Sequence, residues 1–264
     1  MKVCIDAGHN GMRNQSPANK KYYESEAMWK LHLLQKKYLE QHGFEVVLTR
    51  TNQATDKELT ARGRMAKGCD LFISDHSNAV GSGVNESVDY PLVIVPLNGK
   101  GNEIGKLLAE CIEDVMGTKQ KGKITTKQGS NGDYYGVIRG AVAVGVPGLI
   151  LEHSFHTNTK ATNWLLNDEN LDKLAKAEAE VIAKYFGVKK VETPAKVETP
   201  AKFDPYLVKI TCDSLNIRAG AGTGYKVNGV IKDKKSYTIV EEKNGWGKLK
   251  SGAGWISLNY TKRV

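Results

Sequence analysis

The sequence has no long hydrophobic run and no apolar leader. None of its apolar stretches approaches the roughly 18 residues that a membrane-spanning helix needs. The N-terminus reaches the acidic Asp6 too soon to contain the apolar segment of a secretory signal. We therefore expect no membrane insertion, no signal peptide, and synthesis in a cytoplasm.

Cysteine is scarce as well. The 264 residues include four cysteines, which are widely separated and lack the close pairs of a cysteine-ligated metal site. Most of them lie in apolar surroundings. They are Cys4, Cys69, Cys111 and Cys212. This pattern predicts buried free thiols rather than disulfides.

One segment lacks large aromatic residues altogether. Residues 190–195 (KVETPA) are repeated as residues 196–201, with one proline in each copy. Such a repeat cannot bury enough apolar surface to fold, and its prolines favour an extended, semi-rigid spacer. We place a linker at residues 188–202, between a first domain at residues 1–187 and a second at residues 203–264.

The net charge of +9 is divided unevenly between these parts. Residues 203–264 contain eleven Lys and Arg against five Asp and Glu, a net charge of +6. The linker carries +2, which leaves about +1 for the first domain. The basic character therefore belongs to the C-terminal domain and predicts an anionic surface as its partner.

Helical and strand patterns alternate along the first domain. An apolar stripe at Ala27, Leu31, Leu34 and Tyr38 predicts a helix that ends at Gly43. Further helices are predicted around residues 58–67, 104–115 and 171–185, and strands around residues 3–5, 44–49, 70–74, 88–95 and 149–151. The order predicts an α/β fold, with a twisted, mostly parallel or mixed sheet flanked by helices.

Polar side chains follow three of these apolar strands. His9 comes after the first strand, His76 after the strand at 70–74, and Glu152 ends the strand at 149–151. Functional groups in α/β sheets collect past the carboxyl ends of the strands, so these three side chains are expected in one crevice. With Glu24 or Glu26 the set has the composition of a catalytic zinc centre with its general base.

Each residue alone has a simpler explanation. A histidine such as His9 or His76 at a strand end is commonly a hydrogen-bonded structural residue. Glu24 is suited to the N-terminus of a helix, where the dipole favours a carboxylate. Glu152 is harder to explain in this way, because a carboxylate after an apolar strand is costly unless it is solvated or used.

The motifs in residues 1–187 resemble those of zinc-dependent N-acetylmuramoyl-L-alanine amidases. The resemblance rests on ordered segments: residues 6–9 (DAGH), 48–50 (LTR), 59–62 (LTAR), 71–79 (LFISDHSNA) and 147–152 (PGLILE). It implies that His9, Glu24 and His76 bind Zn²⁺ and that Glu152 is the catalytic carboxylate. Glu26 is an alternative ligand, and Asp6 is a candidate to orient a ligand by a hydrogen bond.

The resemblance also implies the reaction. A zinc ion with three protein ligands keeps a position open for water, whose pKa it lowers to about 7. Glu152 would take the proton of that water and pass it to the departing amide nitrogen. The bond cleaved would join the glycan to the L-alanine of the stem peptide in peptidoglycan.

Four residues depart from the usual pattern of that family. Asp75 and Ser77 flank His76 in place of an apolar residue and alanine, and His153 and His156 follow Glu152. Their roles stay open at this point. Tyr134, Tyr135 and Arg139 are candidates for the substrate groove, with surface or packing roles as the alternative, and His32 is expected to be structural.

The C-terminal domain resembles bacterial SH3-like wall-binding modules. Short alternating segments separated by Gly- and Asn-rich turns predict a small all-β barrel. The resemblance rests on the segment at residues 215–218 (LNIR) and on the two Gly-Trp pairs at residues 245–246 and 254–255. Its aromatic residues are candidates for a ligand groove or for the core: Tyr225, Trp246, Trp255 and Tyr260.

This combination of modules looks like a phage endolysin. We expect such an enzyme to accumulate in the cytoplasm of the bacterial host and to reach the wall at lysis. Its partners would be peptidoglycan and anionic wall polymers, and we expect neither nucleic acid nor membrane as a partner. The alternatives are a bacterial autolysin, a zinc peptidase acting on another wall amide, and a wall-binding protein with an inactive catalytic domain.

Overall fold

The computed structural model describes residues 1–188, 203–243 and 245–264. The chain divides into two compact units, Met1–Val191 and Glu192–Val264. The linker predicted at residues 188–202 lies outside the described residues, apart from Val188. Among the helices that the structure describes, none is long and apolar enough to cross a membrane.

The first unit contains a six-stranded mixed sheet. Its strands are β1 (Lys2–Ala7), β2 (Glu45–Leu48), β3 (Leu71–Asn78), β4 (Leu92–Ile94), β5 (Lys123–Thr125) and β8 (Gly148–Phe155). They follow the order β2-β1-β3-β8-β4-β5, in which β1, β2, β3 and β8 are parallel, whereas β4 runs antiparallel to β8 and parallel to β5. A separate hairpin is formed by β6 (Gln128–Gly129) and β7 (Gly132–Asp133). The predicted α/β class is confirmed.

Helices cover both faces of this sheet. They are α1 (Glu24–Gln41), α2 (Leu59–Arg64), α3 (Asn102–Met116), α4 (Gly136–Ala143), α5 (Thr159–Leu165) and α6 (Asp168–Tyr185). Successive strand residues alternate between the faces: Leu149 and Leu151 pack with α1, α3 and α6, whereas Ile150 packs with α4. This alternation determines on which side of the sheet each functional residue lies.

Helix ends follow local chemistry. Helix α1 ends at Gln41, with His42 as its C-cap residue and Gly43 next at φ +84°, in agreement with the predicted stop at Gly43. The side chain of Glu58 caps α2 by accepting hydrogen bonds from the N–H groups of Thr60 and Ala61. Asn167 caps α6 in the same manner.

The sequence patterns misplaced or missed several elements. The strand expected at residues 88–95 is limited to β4, and the helices α4 and α5 and the strands β5, β6 and β7 were not predicted. Helix α4 packs closely on α2 through glycines, because a Cβ on Gly140 would lie 2.2 Å from the carbonyl oxygen of Thr60. Glycine is a poor helix former, so this tertiary contact overrides the local preference.

The second unit is an antiparallel seven-stranded sheet with the order β11-β10-β14-β13-β12-β9-β15. Its strands are β9 (Tyr206–Ile210), β10 (Leu215–Arg218), β11 (Val227–Ile231), β12 (Ser236–Lys243), β13 (Trp246–Leu249), β14 (Trp255–Ser257) and β15 (Thr261–Arg263). A 3₁₀ turn at Leu258–Tyr260 precedes β15. Its small core is aliphatic and is built around Val208, Leu215, Ile239 and Ile256.

Candidate metal centre

The structure places the predicted site residues at one edge of the sheet. His9 follows β1, Glu24 is the first residue of α1, and His76 and Glu152 lie near the carboxyl ends of β3 and β8. Because β1, β3 and β8 are parallel, their carboxyl ends meet at this edge. His9, His76 and Glu152 line one cleft of about 990 Å³.

Three of these residues converge on a point that a metal ion can occupy. One donor atom from each of His9, Glu24 and His76 lies within 4.8 Å of the other two. Glu24 Oε1 is 3.4 Å from His9 Nε2 and 3.0 Å from His76 Nδ1. Donors about 2.0–2.2 Å from a tetrahedral zinc ion lie roughly 3.3 Å apart, so the two distances fit this geometry.

Glu24 is held in its ionised form. Burial alone would raise its pKa, but hydrogen bonds with His76 and His9 hold the pKa of Glu24 well below its usual range. The main-chain N–H of Ser77 donates to Oε1 and the amide of Asn14 donates to Oε2. A buried carboxylate with this many donors is preorganised as an anionic ligand.

Glu152 has the opposite character. Burial, helped by the charge of Glu24 and opposed by His76, raises the pKa of Glu152 to about 7. Its Oε2 is buried and accepts no hydrogen bond from any described residue. A buried carboxylate without a partner is costly, and it indicates a functional group next to the three convergent donors.

The backbone of the site is strained in two places. His9 has φ +58° and Asn14 has φ +54°, in the left-handed region that disfavours most side chains. The amide of Asn14 lies 3.1 Å from His9 Nε2 and 2.7 Å from Glu24 Oε2, so it contacts two of the three donors. Strain of this kind concentrates at functional sites.

Comparison with known families identifies the family of this chain. Residues 3–184 match the model of the N-acetylmuramoyl-L-alanine amidase family, which covers more than half of the chain. The chain belongs to this family. It is therefore a hydrolase of the peptidoglycan amide bond, and residues 213–262 match the bacterial SH3 domain family.

The individual relatives have low sequence identity to this chain. The chain is 27% identical over 224 residues to the N-acetylmuramoyl-L-alanine amidase CwlM of Bacillus licheniformis, covering 84% of this chain and 81% of the relative. The fold is similar to the catalytic domain of CwlV from Bacillus (Paenibacillus) polymyxa var. colistinus, with TM-score 0.61, 23% identity and coverage of 71% and 99%. The amidase AmiC2 of Nostoc punctiforme gives TM-score 0.60, 23% identity and coverage of 71% and 97%.

Glu26 and Asp6, which the sequence analysis considered for the metal site, have other surroundings. Glu26 lines a small surface cavity beside Lys30 and is absent from the donor cluster. Asp6 does not hydrogen-bond to a ligand side chain; it accepts hydrogen bonds from the hydroxyls of Thr49 and Ser74. The expected orienting role of Asp6 is therefore wrong, because its carboxylate is engaged within the sheet.

The residues that were candidates for the substrate groove have different surroundings in the structure. Tyr135 lines the cleft together with the basic Arg13 and Lys57. Arg139 instead donates to the main-chain carbonyls of Asp133 and Tyr134 and stabilises the turn before α4. His32 is buried, and burial lowers its pKa to about 4, which fits the expected structural role.

Asn14 is the functional residue that sequence reasoning missed. It lies between the two motifs that supply His9 and Glu24, in a segment without regular secondary structure. Asparagine tolerates the left-handed conformation better than most residues, but an isolated asparagine gives no signal of this kind in a sequence.

The four aromatic residues of the SH3 domain do not form one groove. Trp246 and Tyr260 line a cavity of about 560 Å³ together with Asn216 and Arg218. Tyr225 packs against Gly220, where a Cβ would lie 2.5 Å from its ring. Trp255 lies outside this cavity's lining, with the ammonium of Lys248 over its ring.

Proposed function

We propose that this amidase is a zinc enzyme in which His9, Glu24 and His76 hold the ion and Glu152 is the general base and acid. The observation that supports this most is the convergence of three donors beside a buried carboxylate oxygen without a partner. Two imidazoles and one carboxylate are a donor set typical of catalytic zinc, which leaves a coordination position open.

Each residue has a defined part in the reaction. Zinc, when bound, supplies a Lewis acid that polarises the amide carbonyl and lowers the pKa of water. Glu152 lies at the cleft wall, where its carboxylate can accept the proton of the attacking water and deliver it to the leaving nitrogen of L-alanine. Asn14 fixes the orientation of Glu24 through its amide, which donates to Oε2 and leaves Oε1 for the ion.

Metal analysis tests this proposal. The purified protein should contain about one zinc ion per chain, lose activity on chelation, and recover it when about one equivalent of zinc is restored. Full activity of a protein shown by elemental analysis to be metal-free would overturn the zinc assignment. Cleavage inside the stem peptide rather than at the N-acetylmuramic acid amide would instead favour the zinc peptidase alternative.

For the second unit we propose binding to anionic wall polymers. The support is its net charge of +6 and its match to the bacterial SH3 family. The full chain carrying Glu152→Gln should cosediment with purified walls, and the bound fraction should fall with ionic strength and after the anionic polymers are removed. Binding that is unchanged by both treatments would contradict this partner.

We further propose that the protein acts as a phage endolysin, made in the host cytoplasm and released to the wall at lysis. A catalytic unit joined to a wall-binding type of module supports a lytic role. Cells expressing the chain should stay intact until the membrane is permeabilised and should then lyse within minutes. Lysis without permeabilisation would favour an exported autolysin.

A further inference from the structure

Behind the metal centre lies a second group of buried polar side chains. Asp75, His153 and Glu178 are fully buried and Gln35 is nearly so. Asp75 and His153 precede and follow the site residues His76 and Glu152 in the chain. Because strand residues alternate between faces, Asp75 and His153 lie on the side of the sheet that packs on α1 and α6.

His153 is the centre of this group. Its Nδ1 lies 3.0 Å from the main-chain carbonyl oxygen of His76, and its Nε2 lies 2.8 Å from Glu178 Oε1. The carbonyl oxygen can only accept a hydrogen bond, so Nδ1 donates to it, and Nε2 shares a hydrogen bond with the carboxyl group of Glu178. Asp75 Oδ1 lies 3.9 Å from the same Nε2.

Gln35 joins the remaining members. Its amide nitrogen donates to Asp75 Oδ1 at 3.0 Å and to Glu178 Oε2 at 2.9 Å. Glu178 belongs to α6 and Gln35 to α1, so the group connects two helices to β3 and β8. An apolar core at this position would pack the same elements without fixing any polar atom of the strands.

The buried polar group around His153 lies at a specific place in the sheet, next to the pairing of β3 and β8. His76 and Glu152 are register partners in β3 and β8, and the register of the two strands shifts immediately after that pair. The regular backbone pairing of β3 and β8 is therefore interrupted next to the proposed ligand His76 and the carboxylate of Glu152. The hydrogen bond from His153 to the His76 carbonyl connects the two strands at this interruption.

We propose that His153, anchored by Glu178, is a positioning residue for the amidase reaction. It holds the main chain of His76 at a fixed distance from Glu152, and so fixes the imidazole that binds metal relative to the carboxylate that moves the proton. This inference rests on the metal and base roles proposed above. Outer-shell partners of metal ligands are typically worth about 10–100-fold in affinity or activity.

The test compares three variants of the full chain. His153→Gln keeps a donor but cannot serve both acceptors, and Glu178→Gln replaces the carboxyl group that anchors the ring. Glu180→Gln is the matched control on the exposed side of α6. Each is measured for zinc affinity by competition with a chromophoric chelator, for kcat and KM on peptidoglycan fragments, and for secondary structure and thermal midpoint.

The expected result is an ordered loss. His153→Gln should lower kcat and zinc affinity by roughly 10–100-fold with KM little changed, Glu178→Gln should lower both by less, and Glu180→Gln should match the wild type. If His153→Gln does not fold, Glu178→Gln decides, because its carboxamide preserves the shape of the site.

Two outcomes are distinguishable from each other. A folded His153→Gln or Glu178→Gln protein with wild-type zinc affinity and kcat, whatever its thermal midpoint, would reduce the group to a structural role and overturn the proposal. A wild-type enzyme that neither binds nor needs zinc would instead overturn the proposed function, and the wild-type arm shows this directly.

Discussion

His76 and Glu152 are direct register partners on neighbouring parallel strands, with their side chains on the same face of the sheet. The pairing places a candidate metal ligand beside a buried carboxylate whose Oε2 has no hydrogen-bond partner among the described residues. Neither residue depends on a long loop for its position. The distance between ligand and carboxylate is consequently a property of the β3–β8 pairing, and changes to that pairing should alter catalysis.

Replacing Glu24 tests the metal cluster. Glu24→Gln keeps the shape of the side chain but removes the anion that accepts from His76, Ser77 and Asn14. Zinc affinity should fall by about 100-fold or more, since outer-shell partners alone cost roughly 10–100-fold. Isothermal titration of the metal-free protein measures this. Glu26→Gln is the matched control, and an equal loss in both variants would contradict the assignment of Glu24.

Replacing Asn14 separates its contact from its backbone conformation. Asn14→Ala removes the amide that contacts His9 and Glu24 and also puts alanine at φ +54°, whereas Asn14→Gly removes the amide without that strain. Both variants should lose activity by about tenfold or more. Because only alanine is strained at this φ, the alanine variant should lose about 1 kcal/mol more unfolding free energy than the glycine variant. A glycine variant with full activity would show that the amide has no functional role.

The close contact of α2 and α4 predicts a large cost for one methyl group. Gly140→Ala places a Cβ 2.2 Å from the Thr60 carbonyl oxygen, so one of the two helices must move. We expect a loss of about 1–3 kcal/mol in the free energy of unfolding, measured by urea denaturation. The control is Gly83→Ala, whose Cβ would meet nothing within 4 Å. Equal stabilities of the two variants would contradict the packing described here.

The cap of α2 predicts a specific pH dependence of stability. Hydrogen bonds from the Thr60 hydroxyl and from the N–H groups of Thr60 and Ala61 lower the pKa of Glu58 to about 2. A lowered folded-state pKa contributes stability that is present above the unfolded value near 4.5 and is lost as pH falls toward about 2. The stability difference between wild type and Glu58→Gln should therefore shrink between pH 5 and the acid limit. A constant difference across urea denaturations in that range would contradict this origin.

The strand-end rule brought His9, His76 and Glu152 together from the sequence, because an apolar run followed by a polar residue has the same meaning in every parallel sheet. The same reasoning could not find Asn14, whose role depends on an irregular segment returning toward the site. It singled out Asp75 and His153 but gave them no role, because their partners Gln35 and Glu178 belong to helices distant in the chain. Helix α4 was missed for a related reason, since its glycines make sense only against α2.

The most direct test of the central claim is mass spectrometry of peptidoglycan digested by the wild-type chain, by Glu152→Gln and by the chelated wild type. We expect new L-alanine amino termini, released from N-acetylmuramic acid, in the wild-type digest and in neither of the other two. Undiminished release by a folded Glu152→Gln protein would contradict the role of Glu152, and undiminished release by the metal-free wild type would contradict the role of the metal.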